Sequence, residues 1–265
     1  MTQKITHCNL IDTHAHLCDT RLNHNEIIAS MGNDNLDKII TVAYDMPSSR
    51  FSLDLAARNK DVYASAGVHP SDIKKMHEAD LDELLALSKH PKCVAIGEIG
   101  LDYHYDDADP QLQQYWFLRQ LEVVEQSGLP TIIHLRDADG DMQKIVKVNR
   151  ARFKAPAVLH CFSGSVESAA FYLSQGFYIS FAGVITYQNA RRYADIVRSI
   201  PKGRLLIETD CPYLTPEPFR GRLNVPAHIK FVAAKAAEYL SVTEDEVAEI
   251  TRENAYRLFT KMTRD

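Results

Sequence analysis

The sequence predicts an α/β protein folded as a single (β/α)8 TIM barrel, with one domain over residues 1–265. Eight apolar runs of strand length alternate with segments of helical spacing, and no Pro/Gly/Ser-rich linker separates them. Six side chains with metal-ligand chemistry fall at the ends of these strands, and in a parallel barrel those ends meet at one face. Open doubly wound sheets also alternate strand and helix, but they usually have fewer strands, and no glycine-rich phosphate loop follows the first strand here.

Length and composition are those of a folded protein with a large core. A chain of 265 residues fits one barrel, and its 45% hydrophobic and 25% charged residues argue against a disordered or fibrous chain. The formal net charge of −5 argues against a protein that is held on nucleic acid by its overall electrostatic field. A local basic rim around a site is compatible with this charge.

The cysteines and the first residues indicate the compartment. Residues 1–9 lack the apolar core of a signal peptide, and no uninterrupted apolar segment is long enough to span a bilayer. We therefore expect a cytoplasmic protein without a membrane partner; a monomer is compatible with the sequence, and protein partners are not identified by it. Five cysteines without a C-x-x-C pair predict free thiols: Cys8, Cys18, Cys93, Cys161 and Cys211.

The first four strand–helix units are defined by apolar spacing and by the residues that end each run. Gly128 is the predicted C-cap of the fourth helix. The predicted strands are 10–16, 38–45, 62–68 and 93–99, and the predicted helices are 23–32, 47–60, 79–90 and 111–127.

The second four units continue the pattern, and Gly176 is predicted to stop the sixth helix. Two helices close the chain after the eighth strand. The predicted strands are 131–135, 157–160, 177–181 and 204–209, and the predicted helices are 139–150, 166–175, 190–200, 226–240 and 243–260.

The first strand ends in an unusual group of polar side chains. Successive side chains of a strand alternate faces, so Asp12, His14 and His16 are expected on one side. Inside the mouth of a barrel, two neutral imidazoles can bind a divalent metal and Asp12 can orient one of them. A polar strand end that faces water is the alternative.

Similar residues end four other strands, and their common position favours one shared metal site. Six groups, including a glutamate that can bridge, suggest two ions about 3.5–4 Å apart, with Glu98 as the bridge. Imidazole and carboxylate ligands suit Zn or Mn and tolerate Mg. The candidate ligands are His14, His16, Glu98, His134, His160 and Asp210.

The same alternation assigns three residues that neighbour the ligands. Glu208 shares a face with Asp210, which places it behind a ligand or beside the attacking water; a structural carboxylate is the alternative. Cys161 and Cys211 each adjoin a ligand and are expected to point to the opposite face. We take Glu98, Asp210 and Glu208 as the catalytic candidates.

Six segments of the chain carry a family resemblance: DTHAH (12–16), GVHP (67–70), GEIGLD (97–102), HLR (134–136), HCFSG (160–164) and ETDCP (208–212). Together they resemble the TatD family of metal-dependent deoxyribonucleases. The resemblance implies a TIM barrel, a divalent-metal site formed by the six ligands above, and hydrolysis of DNA, typically from the 3′ end. One departure is Val225, where the family's Arg-x-Asn-Glu-Pro segment has glutamate.

A DNA substrate needs positive or stacking groups around the mouth, and the loops after the strands supply some. We select Tyr103, Arg136 and Arg222, with His69 at the end of the third strand as a fourth substrate-binding candidate. Core, capping or solvated roles are the alternatives for each of them. Aromatic side chains at the mouth favour single-stranded DNA ends. The other candidates at the rim are Lys74, Lys75, Tyr105, Arg191, Arg192 and Arg220.

Two rival functions belong to other classes. A hydrolase of a small ester, lactone or amide would use the same metal site with an uncharged or acidic pocket. A non-catalytic barrel that serves as a binding scaffold would be expected to have lost ligands, and this sequence retains all six. Release of mononucleotides from a single-stranded oligonucleotide distinguishes the nuclease from the first rival.

Overall fold

A computed structural model describes residues 9–264 and confirms the predicted barrel. Eight strands form one parallel sheet in which each strand pairs with the next along the chain. A parallel bridge between Ala15 and Cys211 joins the first strand to the segment after the eighth, which brings the two edges of the sheet together. The strands are β1 (Leu10–Ala15), β2 (Leu36–Thr41), β3 (Val62–Ala66), β4 (Cys93–Asp102), β5 (Thr131–Arg136), β6 (Ala157–Leu159), β7 (Tyr178–Phe181) and β8 (Leu205–Ile207).

Helices follow every strand, as the alternation predicted. Five short 3-10 helices also occur within residues 9–264, at Ile73–Lys75, Arg150–Arg152, Gly183–Thr186, Lys202–Arg204 and Pro226–His228. The α-helices are α1 (His24–Ser30), α2 (Met46–Arg58), α3 (Glu78–Ser88), α4 (Pro110–Ser127), α5 (Asp139–Val148), α6 (Val166–Ser174), α7 (Arg192–Ser199), α8 (Ile229–Leu240) and α9 (Glu244–Leu258).

Local sequence explains where several helices begin and end. Asp45, predicted as the end of a strand, instead caps α2, because its carboxylate accepts a hydrogen bond from the Ser48 amide. Gly128 ends α4 in the left-handed conformation that glycine adopts without strain, as predicted. β4 continues to Asp102 and is longer than the sequence suggested, so that Glu98 lies within the strand and not at its end.

The barrel interior is filled by side chains from all eight strands. At least one apolar residue from each strand joins a single buried cluster, to which β4 adds Ala95 as a second. Residues of the last helix, including Tyr256, complete the cluster together with Phe259 just beyond. α9 therefore closes the amino-terminal end of the barrel. The strand residues are Ile11, Ile40, Tyr63, Val94, Ile132, Val158, Tyr178 and Leu206.

A charged group lies at the same amino-terminal end. The side chain of Lys38 is only 1% exposed, and its ammonium nitrogen is 2.7 Å from Asp61 and 3.5 Å from Asp37. The other oxygen of Asp37 accepts hydrogen bonds of 2.8 Å from Arg252 and from Tyr256 of α9. Burial would raise the pKa of Asp37, but these donors and Lys38 hold it below its ordinary value. We call these five residues the basal cluster.

The described residues bear on the expected absence of a membrane span and on the expected free thiols. Between residues 9 and 264, no helix is both long and apolar enough to cross a membrane. Cys18, Cys93, Cys161 and Cys211 are free, as predicted. Cys8 and most of the segment considered for a signal peptide lie outside the described residues.

Candidate metal centre

The six predicted ligands meet at the carboxyl-terminal face of the barrel. They come from five different strands or from the residues directly after them, so closure of the barrel is what brings them together. Their side chains are buried or nearly so. Ligand atoms of these residues lie within 4.8 Å of one another in overlapping groups of three: His14, His160 and Asp210; His14, His16 and Glu98; Glu98, His134 and His160.

Four ligand atoms form the first half of the site. His14 Nε2 is 3.3 Å from His16 Nε2, 3.2 Å from Glu98 Oε2 and 3.6 Å from Asp210 Oδ1. His16 Nε2 is 3.8 Å from the same Glu98 oxygen and 3.3 Å from the same Asp210 oxygen. Ligands at about 2.0–2.1 Å from a tetrahedral metal are separated by about 3.3 Å, so these spacings fit a metal site.

The second half uses the other oxygen of the same glutamate. Glu98 Oε1 is 2.7 Å from His134 Nδ1 and 2.6 Å from His160 Nε2, and these two nitrogens are 3.1 Å apart. Each carboxylate oxygen of Glu98 therefore faces a different pair of histidines. This is the arrangement that the predicted bridging role of Glu98 requires.

A close approach of β4 and β5 makes this arrangement possible. Gly100 has a φ of +152° and pairs with His134, and a Cβ at this position would lie 2.0 Å from the His134 carbonyl oxygen. Only glycine fits there. Gly100 therefore lets the residues on either side of it, Glu98 and Asp102, contact the imidazole of His134.

The carboxylates and histidines of the cluster shift one another's pKa values strongly. Burial alone would raise the pKa of Glu98, but His160 and His14 outweigh it and hold the pKa well below its usual range. Burial would lower the pKa of His160, whereas Glu98 and Glu208 raise it well above the ordinary value. Buried carboxylates that have only titratable histidines as neighbours are well suited to a divalent cation.

The contacts between the imidazoles also favour a divalent cation. Two ring nitrogens that face each other at 3.3 Å, such as those of His14 and His16, repel through their lone pairs unless one carries a proton. The second pair, His134 and His160, presents the same conflict at 3.1 Å. A divalent cation bound by each pair would remove the repulsion between its lone pairs. These residues therefore fit a divalent metal.

Three histidines are oriented by groups on the far side of their rings. His16 Nδ1 is 2.9 Å from the Val42 carbonyl oxygen and His160 Nδ1 is 3.2 Å from Glu208. His134 Nε2 is 3.0 Å from Asp102. A carbonyl or carboxylate oxygen accepts a hydrogen bond, so each far nitrogen carries the proton and each near nitrogen directs its lone pair into the cluster.

Glu208 thus lies behind a predicted ligand, which was one of the two positions expected for it. Its Oε1 also accepts a hydrogen bond of 2.7 Å from the Cys161 amide. Asp102 was not selected from the sequence, although alternation places it on the same face of β4 as Glu98. That spacing within GEIGLD was the available signal.

The expected role of Asp12 is wrong. Its carboxylate does not orient an imidazole: Oδ1 accepts from the backbone amides of His14 and Thr209, and Oδ2 accepts from the Thr209 hydroxyl at 2.5 Å. His14 Nδ1 is buried without a hydrogen-bond partner. An irregular register of β1 between Asp12 and Ala15 interrupts the simple alternation on which the expectation depended. Asp12 therefore joins β1 to the segment after β8.

His69 lies at the edge of the cluster. Its Nε2 is 3.6 Å from Glu98 Oε1, and its Nδ1 accepts a hydrogen bond from the Ser71 amide. Burial and the neighbouring His134 lower the pKa of His69 to about 3, so its imidazole is neutral. With His134 and Asp102 it forms a fourth group of possible ligands. The hydrogen bond from Ser71 fits the capping alternative for His69. Its position beside the centre is compatible with contact to a substrate, which stays a prediction.

The other substrate-binding candidates lie outside the cluster. The Tyr103 hydroxyl accepts a hydrogen bond from Gln114 and donates one to Asp141. Arg136 ends β5, and its guanidinium carbon is 5.6 Å from the centre of the Tyr105 ring. Arg222 is exposed in the loop after β8, and its guanidinium carbon is 5.6 Å from the centre of the Phe219 ring. Their roles in binding stay predictions.

The loop after β8 is tied to the strand by Asn224, which is buried. Its amide nitrogen donates to the carbonyl oxygens of Thr209 and Tyr213. Val225, the position that departs from the family pattern, packs against the hydrophobic core. Its apolar side chain is therefore accommodated by packing.

Tyr213 and Arg21 form an aromatic and basic pair beside His16 that the sequence analysis did not identify. The Tyr213 ring is 48% exposed and lies 6.0 Å from the His16 ring, centre to centre. The guanidinium of Arg21 lies 4.6 Å from the centre of the Tyr213 ring and is held by two hydrogen bonds to Asp19. These residues come from the loops after β1 and β8, whose proximity only the closed barrel shows.

The model of the TatD-related DNase family matches residues 11–260. The chain belongs to this family. The match includes residues of all eight strands and all six candidate ligands.

Two curated relatives are named metal-dependent hydrolases and described as uncharacterized. YabD of Bacillus subtilis is 42% identical over 94% of this chain and 98% of its own length. YcfH of Escherichia coli is 35% identical over 94% of this chain and 95% of its own length. The crystal structure of the TatD homologue YJJV from Escherichia coli superposes with a TM-score of 0.90, 31% identity and coverage of 96% and 98%. This TatD family chain is accordingly a metal-dependent hydrolase.

Proposed function

We propose that this protein is a metal-dependent deoxyribonuclease that hydrolyses phosphodiester bonds, acting as a 3′-to-5′ exonuclease on single-stranded DNA. One observation carries the proposal: the two oxygens of the buried Glu98 carboxylate each face a separate pair of histidines. Membership of a DNase family supports DNA as the substrate.

The proposed cofactor is a pair of divalent ions, Mg, Mn or Zn. His14, His16, Glu98 and Asp210 would hold one, and Glu98, His134 and His160 would hold the other. When bound, such ions acidify water and neutralise the charge that develops on a phosphoryl group. These are the two requirements of phosphodiester hydrolysis.

The contribution of the chain is to orient its donors before substrate arrives. Val42, Glu208 and Asp102 fix the protonated nitrogen of three histidines, so that the opposite nitrogen is available to a cation without rearrangement. Glu98 and Asp210 supply the negative charge that the cations neutralise. The Asp210 side chain is 12% exposed and that of Glu98 is 3% exposed, which supports a position for Asp210 nearer to the substrate.

Access to the centre favours a strand end. The ligands are buried at the bottom of the mouth, whereas the exposed aromatic rings of Tyr105 and Tyr213 lie at its rim. Each ring lies against an arginine, Arg136 and Arg21 respectively. Exposed aromatic and guanidinium groups stack unpaired bases and contact phosphates. This combination supports single-stranded DNA ends as the substrate.

Labelled oligonucleotides test the proposal. A single-stranded oligonucleotide is labelled at its 5′ end in one reaction and at its 3′ end in another, with Mg, Mn or Zn present. A 3′-to-5′ exonuclease gives a descending ladder from the 5′-labelled strand and immediate release of a labelled mononucleotide from the 3′-labelled strand.

Chelation and a small substrate complete this test. Chelator in excess should abolish cleavage, and restored metal should recover it. If no oligonucleotide is cut with any of the three metals while a small ester, lactone or amide is turned over, the nuclease proposal is wrong. The same metal centre would then belong to a small-molecule hydrolase.

A further inference from the structure

A cavity of about 280 Å³ lies between the loops that follow β3 and β4. Asp102 lines it and also contacts His134, so the cavity adjoins the metal centre. Hydrolysis itself, as described above, does not use this space. Its position beside the centre makes it available to a part of the substrate next to the scissile bond.

The walls of the cavity favour a flat, uncharged group. Pro70, Ile73 and Leu112 are apolar residues of its lining, and Tyr105, also in the lining, is 55% exposed. Arg136 lies 5.6 Å from the centre of this ring and helps to hold it in place. An exposed aromatic ring above an apolar wall is a surface on which a planar ring stacks.

The charges of the cavity argue against a phosphate. Three aspartates line it, Asp102, Asp107 and Asp109, against one lysine, Lys74, which is already paired with Asp107 at 3.0 Å. An anion in this space would meet an excess of negative charge. A heterocycle with amino or ring N–H groups, in contrast, finds carboxylate acceptors.

The size is compatible with one such group. Pockets for drug-sized ligands measure roughly 300–1,000 Å³, so a cavity of about 280 Å³ accepts a single ring system with its sugar. Two stacked bases would not fit. A nucleobase has the planarity, the neutral charge, the hydrogen-bond donors and the size that these walls select.

We propose that this cavity is a nucleobase subsite for a nucleotide that flanks the scissile phosphate. The inference rests on the proposed nuclease function and adds to it a recognition element that contacts no phosphate. It assigns to Tyr105 the role of stacking platform for one base.

Abasic substrates test the subsite directly. Three single-stranded oligonucleotides are compared: one intact, one without a base at the 3′-terminal nucleotide, and one without a base at the penultimate nucleotide. Stacking of one base on an aromatic ring corresponds to about a tenfold change in affinity or more. For the wild-type protein, kcat/KM should fall about tenfold for at least one abasic oligonucleotide.

Two variants and a matched control locate the effect in the cavity. Tyr105→Ala removes the platform, and Ala108→Phe fills the space; each should lower kcat/KM for the intact strand about tenfold and bring the intact-to-abasic ratio close to one. Tyr115→Ala is the control, because Tyr115 is 47% exposed and bonded to Glu78, away from the cavity lining. It should keep the wild-type ratio.

The outcomes separate the two proposals. Cleavage of all three strands at equal rates by the wild-type protein, or an equal loss on all three in Tyr105→Ala, would overturn the subsite and leave the nuclease intact. Absence of cleavage of any strand would overturn the nuclease proposal and the subsite with it.

Discussion

The two ends of this barrel both bury charged side chains, but they balance the charges differently. At the amino-terminal end, the basal cluster sets Lys38 and Arg252 against Asp61 and Asp37. At the carboxyl-terminal end, Glu98 and Asp210 face histidines, whose charge depends on pH.

The difference separates a structural cluster from a functional one. A carboxylate that leaves water must recover its hydration energy from a partner, and lysine or arginine supplies a permanent charge within the fold. Histidines supply it only when they are protonated, and protonation blocks their lone pairs. The carboxylates of the metal centre are therefore neutralised best by a cation from solution. The carboxylates of the basal cluster are neutralised by lysine and arginine within the fold.

Glu98→Gln should have the largest effect on activity. The amide cannot provide two anionic oxygens to both halves of the centre, and loss of a group that merely supports a ligand already costs about 10–100-fold in metal affinity or activity. We expect kcat/KM to fall at least about a hundredfold, with unchanged circular dichroism. Asp210→Asn should behave in the same way.

The control for this prediction is a substitution in the basal cluster. Asp61→Asn also removes a carboxylate that is paired with a cation, but it should leave kcat/KM unchanged at a temperature where the protein is folded. Equal losses of activity in Glu98→Gln and Asp61→Asn would show that the two ends do not differ in the way described.

Metal binding should strengthen as pH rises. Burial opposes protonation of His16, His134 and His160, but the neighbouring carboxylates raise the pKa of each above 6.5 in the metal-free protein. These raised pKa values stabilise the metal-free fold below pH 6.5, and that stability is lost as pH rises through them. Metal must displace the same protons, so its affinity should rise through this range.

Melting temperatures measure the competition between protons and metal for these histidines. With chelator or with manganese, between pH 5.5 and 8.5, the gain in Tm on adding metal should increase with pH and continue to increase above pH 6.5. A gain that is constant or decreases with pH would contradict it. Histidines with ordinary pKa values, near 6.5, would instead give a gain that levels off above that pH.

Asp102→Asn should weaken metal binding without removing a predicted ligand of either half. The amide can present either its oxygen or its NH2 group to His134 Nε2, so the ring nitrogen that faces the cluster is no longer fixed. We expect about a 10–100-fold loss in metal affinity, measured by calorimetric titration. Asp141→Asn, at a partly exposed carboxylate of α5 bonded to Lys144, is the control and should bind metal as the wild type does.

Within the basal cluster, removing the anion should cost more stability than removing the cation. Asp61 is 41% exposed and can be solvated by water, whereas Lys38 is 1% exposed and cannot. Asp61→Ala should lower the free energy of unfolding by about 2 kcal/mol, because the buried Lys38 loses its partner at 2.7 Å and keeps Asp37 at 3.5 Å. Lys38→Met should lower it by about 1 kcal/mol, since Asp37 keeps its bonds to Arg252 and Tyr256. Urea unfolding would refute this if the order were reversed.

Arg222→Ala should have the smallest effect. An exposed guanidinium that contacts a phosphate supplies affinity that does not depend on sequence and is sensitive to salt. We expect a few-fold higher KM with unchanged kcat, and a salt dependence of binding that is reduced by about one ion. Measurement of KM at several salt concentrations checks this; a lower kcat at unchanged KM would place Arg222 in the chemistry itself.

Sequence alone predicted the barrel and the set of six converging residues, because both follow from short-range periodicities. Alternation along a strand determines which side chains face the barrel interior, and closure of a parallel barrel brings the carboxyl-terminal strand ends together. The prediction failed for Asp12, where the register of β1 is irregular. Arg21 and Tyr213 were missed because two loops that are distant in sequence bring them together. The basal cluster was missed because Lys38 lies in an apolar run without any mark of its partners.

The closure of the barrel by α9 has a consequence for how the protein folds during synthesis. Tyr256 and Phe259 join a core that contains one residue from each of the eight strands, the first of them Ile11. These contacts connect segments that are separated by nearly the full described chain, and such long-range contacts form slowly. The nascent barrel therefore keeps its amino-terminal end open, with apolar side chains accessible to chaperones, until the last helix has emerged from the ribosome.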